Sequence, residues 1–204
     1  MSVELYGIFI LACLLLVATP GPNVALIVGT SLSHGARSGL MTVAGVNTGL
    51  LLQLAAVAAG LSWIVELFSR HFDLIRYAGA AYLAILGIQQ LLARPKDNDA
   101  VLPALRPERA YGRGLAVAFA NPKTLIFQAA FLPQFLTGEG DSWSTLWLLA
   151  LTFGVISGVG DSLYAVFAAR ARNAVSQRAR RLADKASGVI LLGGAAVLLA
   201  ASRR

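Results

Sequence analysis

The sequence predicts an all-α membrane protein of six transmembrane helices, arranged as two inverted three-helix repeats with breaks in the first and fourth helices. Three observations lead there: an apolar composition, six runs nearly free of charge, and a polar connector that parts those runs three and three. Of 204 residues, 57% are hydrophobic and 13% charged, too few charges to cover the surface of a soluble domain. The apolar excess therefore faces lipid. Residues 5–35, 38–65, 77–93 and 186–202 contain no Asp, Glu, Lys or Arg, and residues 114–138 and 142–169 contain one such charge each. Each run approaches or exceeds the roughly 20 residues a helix needs to cross hydrocarbon.

No Lys or Arg precedes the first run, and the run is too long for the core of a signal peptide, so it reads as an uncleaved helix. Its Cys13 is the one cysteine of the chain, which excludes an intrachain disulfide and reads as packing. The net charge of +7 is informative through its distribution. Arg37, Arg94, Lys96, Arg106, Arg109, Arg113, Arg170, Arg172, Arg178, Arg180, Arg181 and Lys185 follow the first, third and fifth runs, and only Arg70, Arg76, Arg203 and Arg204 lie on the other side. The excess of basic residues marks the cytoplasmic face, so both termini are expected outside the cytoplasm, in an inner (plasma) membrane. No recognition motif or aromatic platform accompanies the 170–185 cluster, which argues against nucleic acid as a partner.

Residues 94–113, with Pro95, Pro103 and Pro107, have the composition of a mobile cytoplasmic linker. They divide a single transmembrane domain, 1–204, into halves at 1–93 and 114–204. An odd number of crossings per half requires related halves to be inverted across the membrane, as in many secondary transporters. Pro20 and Pro122 lie 102 residues apart, half the chain, in Thr19-Pro20-Gly21-Pro22-Asn23 and Asn121-Pro122-Lys123. Outside these motifs the halves share little identity.

Proline has no amide hydrogen and crowds the preceding turn, and Gly21 adds backbone freedom, so 20–22 should unwind the first helix. One reading is a proline kink; the other is a functional break, because bare backbone at membrane depth is tolerated only beside protein, water or ligand. Gly45 with Gly49, and Gly154 with Gly158, place small residues where helices approach closely.

Only two charges, Lys123 and Asp161, fall inside the six runs. An ionised group at the bilayer centre costs on the order of 3 kcal/mol on insertion scales, so it faces a cavity or a partner. Counting from the basic boundaries at about 1.5 Å per residue puts Lys123 and Asp161 roughly 14–15 Å deep, and Asn23 and Asn47 roughly 15–16 Å deep. Four helices thus bring polar side chains to one level. Lys123 and the broken-helix amides near Asn23 suit a carboxylate. Asp161 suits an amino group or a proton, and Asn23, Asn47 and Asn121 suit either. The competing readings are a structural Lys123–Asp161 pair and a Lys123 that snorkels to the interface. Gln53, Gln128 and Tyr164 are further cavity candidates, or bonds between helices.

The Pro20–Asn23 motif, Gly79-Ala80-Ala81-Tyr82-Leu83 with Leu86-Gly87, Asn121-Pro122-Lys123 and Phe131-Leu132-Pro133-Gln134-Phe135 together resemble the LysE/RhtB translocator family along the whole chain. That resemblance implies an amino-acid efflux permease driven by an ion gradient rather than ATP, with substrates such as lysine, homoserine, threonine, leucine or cysteine derivatives. It implies no cofactor. The expected partners are an amino acid, a coupling ion read as H⁺, and the bilayer; a homo-oligomer is compatible. Pro20, Gly21, Pro22, Asn23, Asn47, Gln53, Asn121, Pro122, Lys123, Gln128, Asp161 and Tyr164 form the expected substrate site. At Gln53 many family members carry His, so any role of that His in proton movement or selectivity does not carry over.

A membrane-embedded enzyme would need a convergent catalytic set. His34 and His71 fall on opposite sides of the membrane, Cys13 stands alone, and no phosphate loop or metal spacing occurs. A scaffold subunit would leave the midplane charges unexplained. A transporter of another small solute or ion remains an alternative. With Cys13 alone and no cluster of Cys, Met or His beside the midplane polar residues, soft metals are disfavoured.

Overall fold

The structure is a computed structural model describing residues 1–58, 72–92, 105–128, 143–171 and 177–200. The motif at 131–135, the connector at 94–104 and the loop at 172–176 lie outside the described residues. Among the described residues all regular structure is helical: α1 (Val3–Ala18), α2 (Pro22–His34), α3 (Ala36–Ala58), α4 (Phe72–Leu92), α5 (Pro107–Ala120), α6 (Pro122–Ile126), α7 (Trp143–Ala171) and α8 (Gln177–Ala200).

Two of these, at Ala36–Ala56 and Ser144–Ala171, are long and apolar enough to cross a bilayer, and α1 with α2, bent by 50° at the break, reach that length and apolarity only when taken together. Tyr77–Leu92 and Lys185–Ala200 are shorter apolar helices. The bend falls at Pro20 and Gly21, where the sequence placed it. A second break lies at Asn121, and Pro22 and Pro122 each open the following helix, a position where the missing amide removes no intrahelical bond. Gly35, at φ 86°, turns the chain between α2 and α3 in a left-handed conformation open to glycine.

The central element is α2. It packs on α3, α5, α7 and α8, and ten of its thirteen residues are buried. By contrast α1 packs chiefly on α7 and exposes Ile8, Leu11, Leu14 and Leu15. Three apolar clusters fill the bundle: Phe9, Cys13, Leu50, Leu54, Phe127, Leu149 and Phe153; Leu26, Leu83, Val117, Leu191 and Leu198; and Ile27, Val43, Val46 and Ala165.

In lipid, apolar area gives no drive for helix association, so close packing must supply it. The glycines provide this. A Cβ on Gly45 would overlap the Tyr111 carbonyl, one on Gly49 would lie 2.8 Å from Ala118 Cβ, and one on Gly114 would overlap the Thr42 carbonyl, so α3 and α5 touch backbone to backbone. Gly154 and Gly158 likewise admit Leu51 and Asn47 of α3 against α7. On the far side, Gly87 and Gly188 bring α4 against α8.

The structure corrects the linker boundary. Residues 107–113 are the first turns of α5, not part of a mobile connector. Pro107 at the first helical position and Glu108 in the first turn start the helix. Ala110, Gly114, Val117 and Ala118 are buried, a one-sided spacing that a composition-based reading of prolines and charges does not register.

Gly114→Val is expected to destabilise the fold by about 1–3 kcal/mol through overpacking, lowering the melting temperature in detergent. Gly112→Ala, where no atom lies within 4 Å of the added carbon, should leave it unchanged. Equal melting of the two variants would contradict the α3–α5 contact.

Candidate functional site

The site starts from what three prolines remove. In an unbroken helix the amides at positions 20, 22 and 122 would bond the carbonyls four residues earlier, those of Leu16, Ala18 and Ala118. Proline has no such amide; Leu16 O and Ala118 O instead accept from Thr19 N at 3.2 Å and Asn121 N at 3.3 Å, and all three carbonyls also accept from a side chain elsewhere in the chain. Lys123 Nζ donates to Leu16 O at 2.9 Å and to Thr19 O at 2.5 Å. The Tyr164 hydroxyl donates to Ala18 O at 3.1 Å, and Gln53 Nε2 donates to Ala118 O at 3.1 Å. Gln128 Nε2 in turn donates to Gln53 Oε1 at 3.0 Å. At the second break Asn121 Oδ1 accepts from Lys123 N at 3.0 Å and caps α6, and Thr124 Oγ1 donates to Asn121 O at 3.1 Å.

These bonds join the two breaks. Lys123, from the second, lies across Gly21 of the first: a Cβ at Gly21 would sit 3.3 Å from Lys123 Cε. Both breaks also meet α8 at one glycine. A Cβ on Gly194 would be 2.8 Å from Pro22 Cγ and 3.9 Å from Pro122 Cδ.

A cavity of about 20 Å³ lies beside the breaks, lined by Leu16 and Val17 of α1, Asn23 and Val24 of α2, Lys123 and Thr124 of α6, and Phe153, Ser157 and Asp161 of α7. That volume holds about one water molecule. Asp161 is 4% exposed and accepts one hydrogen bond, from Ser157 Oγ at 3.4 Å. Among the described residues no hydrogen bond or ion pair joins it to Lys123. The Oδ1 atoms of Asn23 and Asn47 and the Nδ2 of Asn121 are buried with no hydrogen-bond partner among the described residues. The N-terminus of α2 has no side-chain cap. Its first backbone bond runs from Ala25 N to Gly21 O, so the amides before Ala25 have no intrahelical acceptor.

Of the residues expected in the site, Asn23, Lys123 and Asp161 come together on the cavity. Pro20, Gly21, Pro22 and Pro122 form the breaks beside it. Asn47 is not on its lining; its amide packs 2.8 Å from where a Cβ on Gly158 would be, close to one turn from Asp161. Tyr164 and Gln53 hold carbonyls, Gln128 holds Gln53, and Asn121 caps α6. Ser157, Thr124 and Phe153 line the cavity and escaped the sequence reading. Ser157, four residues before Asp161 on one helix face, was accessible to it.

An ammonium, a carboxylate, an uncapped helix start and an unpaired asparagine oxygen around a small cavity between broken helices are features that suit a solute site in a membrane transporter. They do not form a catalytic set. Comparison with known proteins agrees, since the chain belongs to the LysE type translocator family, whose profile matches residues 14–202. It is similar to the homoserine/homoserine lactone efflux protein of Salmonella typhimurium, 33% identical over 174 residues and 83% of either chain. It is also similar to the leucine efflux protein of Klebsiella pneumoniae, 28% identical over 155 residues, 74% of this chain and 73% of that one. No solved structure matches the chain. The protein is thus a member of an amino-acid efflux translocator family and not an enzyme.

Gln53→Leu leaves the Gln128 amide unpaired in a buried place and the Ala118 carbonyl with only its bond from Asn121 N, and should destabilise the protein by about 1–2 kcal/mol. Tyr164→Phe, which removes one hydrogen bond against the two lost with Gln53, should cost less. Thermal unfolding in detergent, followed by tryptophan fluorescence, ranks the two; the opposite order would contradict the assignment.

Proposed function

We propose that this protein is a secondary-active exporter of amino acids or closely related metabolites across the inner membrane, coupled to the proton gradient. One observation carries the reading: a half-buried ammonium and a buried, under-bonded carboxylate line one cavity between two broken helices. A zwitterionic amino acid matches that pair. Its carboxylate is suited to Lys123 Nζ and the open amides at the start of α2. Its ammonium is suited to Asp161, with the Asn23 amide oxygen as a neighbouring acceptor.

Asp161 also suits a proton. A carboxylate so buried, with one hydrogen bond, needs a compensating charge, which is either the substrate's ammonium or a proton. Alternation between the two would couple efflux to the proton gradient. The names of the relatives support amino-acid-like cargo of the homoserine or leucine kind.

The water-sized cavity is too small for an amino acid, so loading requires the walls to part. This supports alternating access between two inverted three-helix halves of one transmembrane domain, the first ending near residue 93 and the second following α5's basic start. Six crossings, with both termini outside the cytoplasm, fit the distribution of Arg and Lys.

The test is efflux of preloaded, labelled amino acids from proteoliposomes, with basic, small hydroxylated, branched and sulfur-containing types compared with and without a proton gradient. Lys123→Ala should reduce efflux on the order of tenfold or more. Asp161→Asn should abolish the response to the gradient while leaving the protein folded. Efflux of no amino acid by correctly folded protein, or unaltered proton coupling in Asp161→Asn, would overturn the respective part.

A further inference from the structure

We infer that Lys123 is an exchangeable latch: the carboxylate of the transported solute takes its ammonium from the carbonyls of Leu16 and Thr19, and this exchange frees α1 from the bundle. The inference rests on the amino-acid reading of the same site and goes beyond it, by assigning the step that opens the cavity to one group of the solute.

Three observations carry it. First, the cavity holds about one water, so a carboxylate enters only if a wall yields. Second, the wall that can yield is α1. It packs chiefly on α7, through Tyr6 and Thr152, whose hydroxyls lie 2.7 Å apart, and through Val17 against Gly160. Its C-terminal end is held by the two Lys123 bonds and by the Tyr164 hydroxyl on Ala18 O, and its middle by Phe9 and Cys13 against Phe127. The remaining walls belong to α2, buried along most of its length, to α7, which also packs on α2 and α3, and to the short α6, which packs on α8. Third, the Lys123 bonds to Leu16 O and Thr19 O join an ion to neutral dipoles, whereas a carboxylate brings a full opposite charge, whose attraction grows away from water. A carbonyl is neutral, so the exchange runs toward the solute. The freed carbonyls lie at the end of α1 where Ala18, Thr19 and Pro20 are exposed, and entering water can satisfy them. A solute lacking the carboxylate cannot drive the exchange, so the latch also selects for an acid group.

Cys13 reports the movement. It is fully buried, on α1, against Phe9, Phe127 and Phe153, so displacement of α1 opens it to reagent. The experiment is alkylation of the native protein in nanodiscs by N-ethylmaleimide, followed by intact mass. L-Leucine and L-homoserine are added in one arm, and the corresponding amines without a carboxylate, 3-methylbutan-1-amine and 3-aminopropan-1-ol, in the other. Labelling should be slow without ligand, rise severalfold with an amino acid that the protein transports, and not respond to the amines. Lys123→Met, with no donor, should label fast with nothing added, and Lys123→Arg should label slowly. Slow labelling of Lys123→Met shown to be folded overturns the latch whatever the substrate. No response to an amino acid that the same preparation exports, or an equal response to its amine, overturns the exchange and leaves the transport reading standing. Fast labelling of Lys123→Met beside export of no amino acid supports the latch and removes the transport reading. Should Lys123→Met not fold, the paired amino acid and amine on the native protein decide.

Discussion

Three prolines create the constraint around which this bundle is organised. Pro20, Pro22 and Pro122 withdraw the amides that Leu16, Ala18 and Ala118 would accept from, and at the depth of the bilayer an open carbonyl cannot be left to lipid. Ala18 O is satisfied by Tyr164, and Leu16 O and Ala118 O, which take bonds from Thr19 N and Asn121 N, are completed by Lys123 and Gln53. The bonds therefore run between elements. The first break is closed by residues of the second half, the second break by a residue of the first, and Gly194 of α8 lies against a proline from each. Whatever moves one break is felt at the other.

Function follows from the same arrangement. Unwinding a helix in the bundle interior exposes backbone donors on one side of the gap and acceptors on the other, and Lys123 occupies the acceptor side while the start of α2 keeps its donors open. Asp161, one helix away on α7, supplies the opposite charge. An amino acid carries both charges at a fixed short spacing, and so complements a cavity that offers both. Of its walls, α2 is buried along most of its length and α7 packs on α2 and α3, whereas α1 packs chiefly on α7 and is less committed than either.

Much of this was legible in the sequence, for identifiable reasons. The helical membrane class followed from charge-poor runs, and the breaks from proline spacing, because both are one-dimensional signals. The depth count brought Asn23, Lys123 and Asp161 to one level, and the fold brings them to one cavity. The same count placed Asn47 with them, yet Asn47 turns toward Gly158. Residue rise gives depth along a helix and says nothing of the direction in which the side chain points. Gln53, Gln128 and Tyr164 were readable as polar groups in the bundle, but not as partners of particular carbonyls, since those contacts span 65 to 146 positions in the chain. The start of α5 at Pro107 was hidden by its prolines and arginines, which suit a linker by composition and a helix start by position.

The most direct test of the account is a distance, measured by rotational-echo double-resonance NMR between a carboxyl-¹³C amino acid and ¹⁵Nζ-lysine in the protein in bilayers. The chain has three lysines, and only Lys123 lies in an apolar run, so the signal is assignable by loss in Lys123→Arg. The account predicts a bound carboxylate within about 4 Å of the Lys123 nitrogen. A bound amino acid whose carboxyl carbon shows no such proximity would contradict it, and would return Lys123 to a purely structural part in closing the broken helix.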